Sequence, residues 1–225
     1  MKLEINVPDN LSEITLGQYQ RFEKLNTKEN QDSVFLLQKM IEIFCGLELK
    51  DVINIKYKSI QEAASIINEA FEAKHIHKPT FKMNGQEYGF VPVLDDMTLG
   101  EYVDLDENLG DWQTIHKAMS VLYRPITYKK GSKYQINKYT GIENADSYKE
   151  MPLDVVFGSI VFFYNLSNEL TQTILNYLQK EMLKPTIRQK QLLEANGDGI
   201  NQSMDLLREM LPDLMRLPNL ISTNA

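Results

Sequence analysis

Cysteine is nearly missing from this chain of 225 residues. Cys45 stands alone, so no intramolecular disulfide can form, and a reducing compartment is the simplest expectation. Histidine is scarce too. His75 and His77 alternate and can face one way, but a zinc site needs one or two more ligands, and Cys45 and His116 fall in distant predicted helices. Three histidines support neither a metal cluster nor a histidine-based triad. Long apolar runs are lacking as well. The longest, from Leu153 to Leu166, is interrupted by Asp154 and Asn165 and falls short of the ~20 residues a bilayer crossing needs. A buried central helix in a soluble protein is the expectation. Positive charge is in deficit, with 24 Lys and Arg against 31 Asp and Glu, which argues against nucleic-acid binding by the whole surface. Met1 to Asn6 alternates and carries Glu4, unlike the continuous apolar core of a signal peptide.

What is present is a phrase written twice, Ile14-Thr15-Leu16-Gly17-Gln18-Tyr19 and Met97-Thr98-Leu99-Gly100-Glu101-Tyr102. Each predicts a helix start. The threonine hydroxyl can accept from free first-turn N–H groups, and Gln18 or Glu101 can reach back to close a capping box. Ile14 with Tyr19, and Met97 with Tyr102, stand at the positions of a hydrophobic staple. The likeness extends outward. Val7-Pro8 matches Val91-Pro92, and Leu11 matches Leu94 at the same distance before the threonine. Val34, Leu37, Ile41 and Phe44 share the spacing of Trp112, Ile115, Met119 and Leu122, and Gln38-Lys39 aligns with His116-Lys117. An internal duplication of a strand, Val-Pro, capped helix and amphipathic helix is expected near 2–46 and 86–124. Its two strands would enter one small sheet.

Between and beyond the units the pattern predicts an edge strand over Lys2–Val7, a helix ended by Gly46, and a short helix near 49–57. A helix over Ser59–Ala73 would open on a Ser59/Glu62 capping box. Thr80–Met83 and Gln86–Val91 flank Asn84-Gly85, a type I′ hairpin signal. A second hairpin follows over Ile126–Asn137 with a basic tip, then a polar loop over Gly141–Glu150. Pro152 suits a first helical position, and the helical pattern from there to Leu183 reads as one helix or as two with a break near Ser167. The fold class expected is α+β, mostly helical, with a small antiparallel sheet and packed helix pairs. Residues 1–184 would form the body and 185–225 a C-terminal helical segment and tail.

Candidate chemistry is thin. Asp104 to Gly110 places oxygens like a calcium loop, but its glycine comes one place late and its twelfth position is Ile115; the loop beginning at Asn196 fails at Leu207. Lys129, Lys130, Lys133 and Lys138 interleave with Tyr128, Tyr134 and Tyr139. That pattern fits a stacking-plus-phosphate patch or, better given the acidic total, cross-strand aromatic pairs with a solvated tip. No catalytic residue, cofactor or metal is expected. Gly17 and Gly100 are candidate contact points: either the first turn tolerates glycine, or another chain segment approaches closely there. Met204, Leu207, Leu211, Leu214 and Met215 form an adaptable apolar face that packs on the body or binds a partner.

The two phrases, with Ala118-Met119-Ser120-Val121-Leu122-Tyr123-Arg124-Pro125-Ile126, resemble small acidic proteins of tailed bacteriophages encoded among virion structure and assembly genes. In size, acidity and helical content the chain is similar to tail assembly chaperones. The resemblance implies a non-enzymatic protein of the host bacterial cytoplasm. Its partners would be the tape-measure protein or tail subunits, with no membrane, nucleic acid or small molecule. A neck, adaptor or ring protein of the virion is the alternative it leaves open, and a phage enzyme would need a site the sequence does not display.

Overall fold

The computed structural model describes residues 5–31 and 33–181. It is α+β and mostly helical. The first phrase folds as its residues predict. A 3-10 turn at Leu11–Glu13 leads to Thr15, whose hydroxyl accepts from Gln18 N–H at 3.2 Å while Gln18 Oε1 accepts from Thr15 N–H at 2.8 Å. Helix α1 (Leu16–Glu23) follows, then α2 (Val34–Phe44), capped by the hydroxyl of Ser33 and ended at Cys45 with Gly46 at φ 66°. Leu37, Ile41 and Phe44 are buried as the periodicity requires, joined by Leu36 and Met40, but Val34 is exposed at the first turn.

Helix α3 (Leu49–Val52) is a single turn. Helix α4 (Tyr57–Glu72) starts two residues earlier than its pattern suggests, because the Lys56 carbonyl already accepts from Ser59 and Ile60. Ser59 therefore lies inside the first turn, and the predicted Ser59/Glu62 box does not form. Ile60, Ala63, Ile67, Ala70 and Phe71 are buried as expected.

Strands β1 (Thr80–Met83) and β2 (Gln86–Phe90) make the hairpin, with Asn84 at φ 50° and Gly85 at φ 77° as a type I′ turn demands. After β2 the second unit is inserted: a 3-10 turn at Leu94–Asp96, α5 (Leu99–Leu109) with its own complete capping box, and α6 (Ile115–Leu122). Helix α6 runs straight into β3 (Tyr123–Lys130), which pairs antiparallel with β2 and with β4 (Lys133–Ile136), giving the order β1-β2-β3-β4. The stretch Asp104–Gly110 is thus mostly helix and not a cation loop. A 3-10 helix at Ala145–Glu150 occupies most of the expected polar loop, and α7 (Leu153–Glu181) is continuous through Ser167.

The expected first strand is also missing over its described part. Ile5–Val7 joins no strand, so among the described residues the first unit gives nothing to the sheet. The alternation there records half-burial of Ile5 and Val7 along an extended segment, with Val7 on the core. The core is an aromatic cluster drawn from both units and from α4 and α7. Tyr19 meets Trp112 (4.7 Å between ring centroids) and Phe157 (5.4 Å), and Phe71 lies 5.8 Å from Tyr19. Edge-on packing of this kind adds ~0.5–1.5 kcal/mol per pair beyond area burial.

Candidate interaction surface

The two capped helices are built alike, and the N3 residue of each box also ties its helix to the far end of the next one. Gln18 donates from Nε2 to the carbonyl of Ile43 at 2.8 Å, near the end of α2. Glu101 Oε1 receives Arg124 Nη1 at 2.8 Å, just past α6. The second version is an ion pair whose side chains are only 6% and 12% exposed. Burial pushes the Glu101 carboxyl up, but the Thr98 N–H and hydroxyl together with the Arg124 guanidinium outweigh it and hold the carboxyl below its ordinary value.

The units differ in what covers them. In the first, the chain returning toward α7 lies against the start of α1. Leu16 N–H donates to Met151 O at 2.8 Å and Leu153 N–H to Ile14 O at 2.9 Å, making an antiparallel bridge between Thr15 and Pro152. A Cβ added at Gly17 would stand 3.1 Å from the Lys149 carbonyl oxygen. Close approach is therefore the reason for glycine at 17. In the second unit nothing among the described residues lies within 4 Å of a Cβ added at Gly100, and no bridge forms over Thr98.

The side chains follow suit. Leu16 and Tyr19 are 0% and 1% exposed, whereas their counterparts Leu99 and Tyr102 are 79% and 57% exposed, with Val103 beside them at 41%. Spaced i, i+3 and i+4, these three form one apolar stripe on α5, bordered by the exposed carboxylates of Asp95, Asp96, Asp106 and Glu107. Burying a side chain of this size contributes roughly 1.5–3 kcal/mol, so the stripe leaves several kcal/mol available to whatever covers it. Of the staple positions, Met97 is half-buried against the core, whereas Tyr102 stays in water. Sequence reasoning singled out Gly100 but missed the stripe, because two closely matching phrases give no hint that one is covered and the other bare. The candidate face at Met204, Leu207, Leu211, Leu214 and Met215 lies outside the described residues.

Elsewhere the reactive residue types have structural partners. Burial pushes the half-buried Cys45 thiol up to about 11, so it is protonated at neutral pH and a poor nucleophile. His75 packs edge-on against Phe157; His77 packs edge-on against Phe90 and stacks on Phe162. His116 Nδ1 lies 3.1 Å from Gln20 Nε2, which also donates to Trp112 O at 2.7 Å. Its Nε2 lies 3.3 Å from Asp146. A neutral ring with the proton on Nε2 satisfies every group in that chain. Of the basic hairpin, Lys129 pairs with Glu87, Tyr134 donates to Phe90 O at 2.9 Å, and Tyr139 donates to Asp104. A cleft of about 560 Å³ beside Arg124, lined also by Tyr88, Asn137, Tyr139 and Tyr148, gathers hydrogen-bonding groups without a nucleophile–base pair. No helix among the described residues is long and apolar enough to cross a membrane. No protein-family model, curated protein or solved structure matches the chain.

Proposed function

We propose that this chain is a non-enzymatic bacteriophage morphogenesis protein that binds another assembly protein, in the manner of a tail assembly chaperone on the tape-measure protein or tail subunits. The observation that carries the reading is the stripe of Leu99, Tyr102 and Val103, three large apolar side chains held in water on a rigidly capped helix. Such a stripe suits an amphipathic helix or extended segment of a partner, with apolar anchors at the centre and carboxylates at the rim. The phage-like phrases support the context, and the structural engagement of Cys45, His116 and the hairpin tyrosines supports a binding role over catalysis.

The test is mass spectrometry of washed virions together with affinity isolation of the tagged full chain from infected cells. The chaperone reading expects the tape-measure protein or a tail subunit in the isolate and the chain missing from particles, and expects Tyr102→Lys with Val103→Glu to abolish the association. Stoichiometric copies in washed particles would overturn it in favour of a neck, adaptor or ring protein.

A further inference from the structure

The two copies of the phrase differ in charge as sharply as in cover. From Leu94 to Asp111 the sequence holds seven acidic residues and no Lys or Arg, whereas the matching stretch from Leu11 to Lys28 holds two acids and three bases. Within the second copy Glu101 is engaged by Arg124, and Asp104 accepts from the Tyr139 hydroxyl. The other five, Asp95, Asp96, Asp106, Glu107 and Asp111, are exposed. Asp106 and Glu107 follow Tyr102 and Val103 at i+4, so the apolar stripe runs into carboxylates one turn on. Asp95 and Asp96 lie just before its start. The stripe is therefore apolar along its middle and acidic at both ends.

The covered copy shows how a segment sits on such a face. Over α1, Met151 O takes the Leu16 N–H, Leu153 N–H donates to Ile14 O, and the Lys149 backbone passes beside Gly17. The equivalent groups of the second copy, Leu99 N–H and Met97 O, have no backbone partner among the described residues, and the space over Gly100 is open among them. A partner helix cannot serve these two groups, because its own N–H and carbonyl groups bond to one another. An extended segment presents both along one edge. We infer that the α5 stripe docks an extended, basic segment of a partner protein, apolar at its centre with Lys or Arg on either side, paired antiparallel to Met97–Leu99. Its backbone passes over Gly100 as that of Lys149 passes Gly17. Its apolar side chains meet Leu99, Tyr102 and Val103, and its bases meet the carboxylates at the two ends. The inference rests on the stripe being a docking face, as proposed above, and adds the form and the charge of what docks.

The probe is a display library of random dodecapeptides, panned on the purified full chain and counter-selected on Tyr102→Lys with Val103→Glu. Exchange of the Leu16 amide, bonded to Met151 O, is the control for an intact body in every variant. The expected peptides carry Lys or Arg on both sides of an apolar centre and bind roughly tenfold more weakly at about 0.5 M salt than at about 0.05 M. The tightest should slow exchange of the Leu99 amide at least tenfold, because that amide stands at the first helical position and has no intrahelical acceptor. Gly100→Ala, which leaves the body's stability unchanged, should weaken the same peptide by roughly tenfold by blocking the backbone that passes there. Acidic or uncharged peptides, or none that need the stripe, overturn the inference. So does binding that leaves Leu99 exchange unaltered or that tolerates Gly100→Ala. Slow Leu99 exchange before any peptide is added also overturns it, since the site is then covered in the free protein by its own chain or a second copy. None of these outcomes decides the virion experiment, so the two readings fail separately.

Discussion

Gly17 and Gly100 hold the same place in the same capping box, yet a methyl group meets opposite surroundings at the two. At Gly17 the Lys149 carbonyl must give way, so Gly17→Ala is expected to cost about 1 kcal/mol once the gain in helix propensity is counted. Gly100→Ala, with open space around it among the described residues, leaves the body's urea midpoint unchanged or raises it slightly. Gly158 on α7 is more demanding, since a Cβ there would collide with the backbone carbonyl of Ile76. Gly158→Ala should lower stability by about 2 kcal/mol or more, and urea titration of the three variants side by side checks the order. His116 sets a pH dependence. Burial and the Lys149 ammonium hold it below its ordinary value against the opposing Asp146 carboxylate, and Lys117 adds to the depression. His75 and His77 are lowered by burial as well. A histidine with a depressed folded value binds its proton more readily in the unfolded chain. Stability is therefore full above about pH 6.5 and falls as pH drops below it. His116→Gln should flatten part of that slope between pH 7.5 and 5.5; an unchanged slope would show that His116 does not titrate with folding.

At the level of elements, both units use the N3 side chain of a capping box to grip the far end of the following helix, by an amide in one and an ion pair in the other. Removing Gln18 loses one hydrogen bond to Ile43 O and one to the Thr15 N–H, about 1–2 kcal/mol. Glu101→Ala leaves the Arg124 guanidinium without its carboxylate. That costs about 3 kcal/mol, the low end for a broken buried pair because the neighbouring cleft admits water. Glu101→Ala combined with Arg124→Met should cost less than the two single changes summed, which a double-mutant cycle in urea measures. Much of this scale was legible in advance. Thr15, Gln18, Thr98 and Glu101 state the helix starts, and Asn84-Gly85 states the hairpin, because capping and type I′ turns are satisfied within a few residues. The starts of α2 and α4 are less legible: Ser33 caps α2 from the end of a polar run that reads as loop, and Ser59 imitates a cap it does not supply. The strand expected at Lys2–Val7 failed over its described residues for a different reason. Alternation encodes which side is buried, and says nothing of whether a neighbouring strand is there to pair with.

Across the whole molecule, Tyr123 ties together parts that are distant in sequence. Its hydroxyl donates to Lys78 O at 2.7 Å and lies 2.9 Å from Ser159 Oγ, and its own carbonyl accepts from the Tyr148 hydroxyl at 2.6 Å. One ring thereby joins the segment before β1, strand β3, the last 3-10 helix and α7. Tyr123→Phe is expected to lower stability by about 1–3 kcal/mol and to speed amide exchange in β1, β3 and α7 together, as one cooperative unit. By itself the sequence determined where most helices begin, which residues of α4 turn inward, that the class is α+β, and that one phrase occurs twice. Those properties follow from contacts between residues close along the chain. Only the tertiary structure decided that the first copy is roofed by Lys149–Leu153 and buried, while the second stands open with Leu99, Tyr102 and Val103 in water. Two closely matching local signals differ in whether a distant segment reaches them, and no reading of either phrase alone contains that segment.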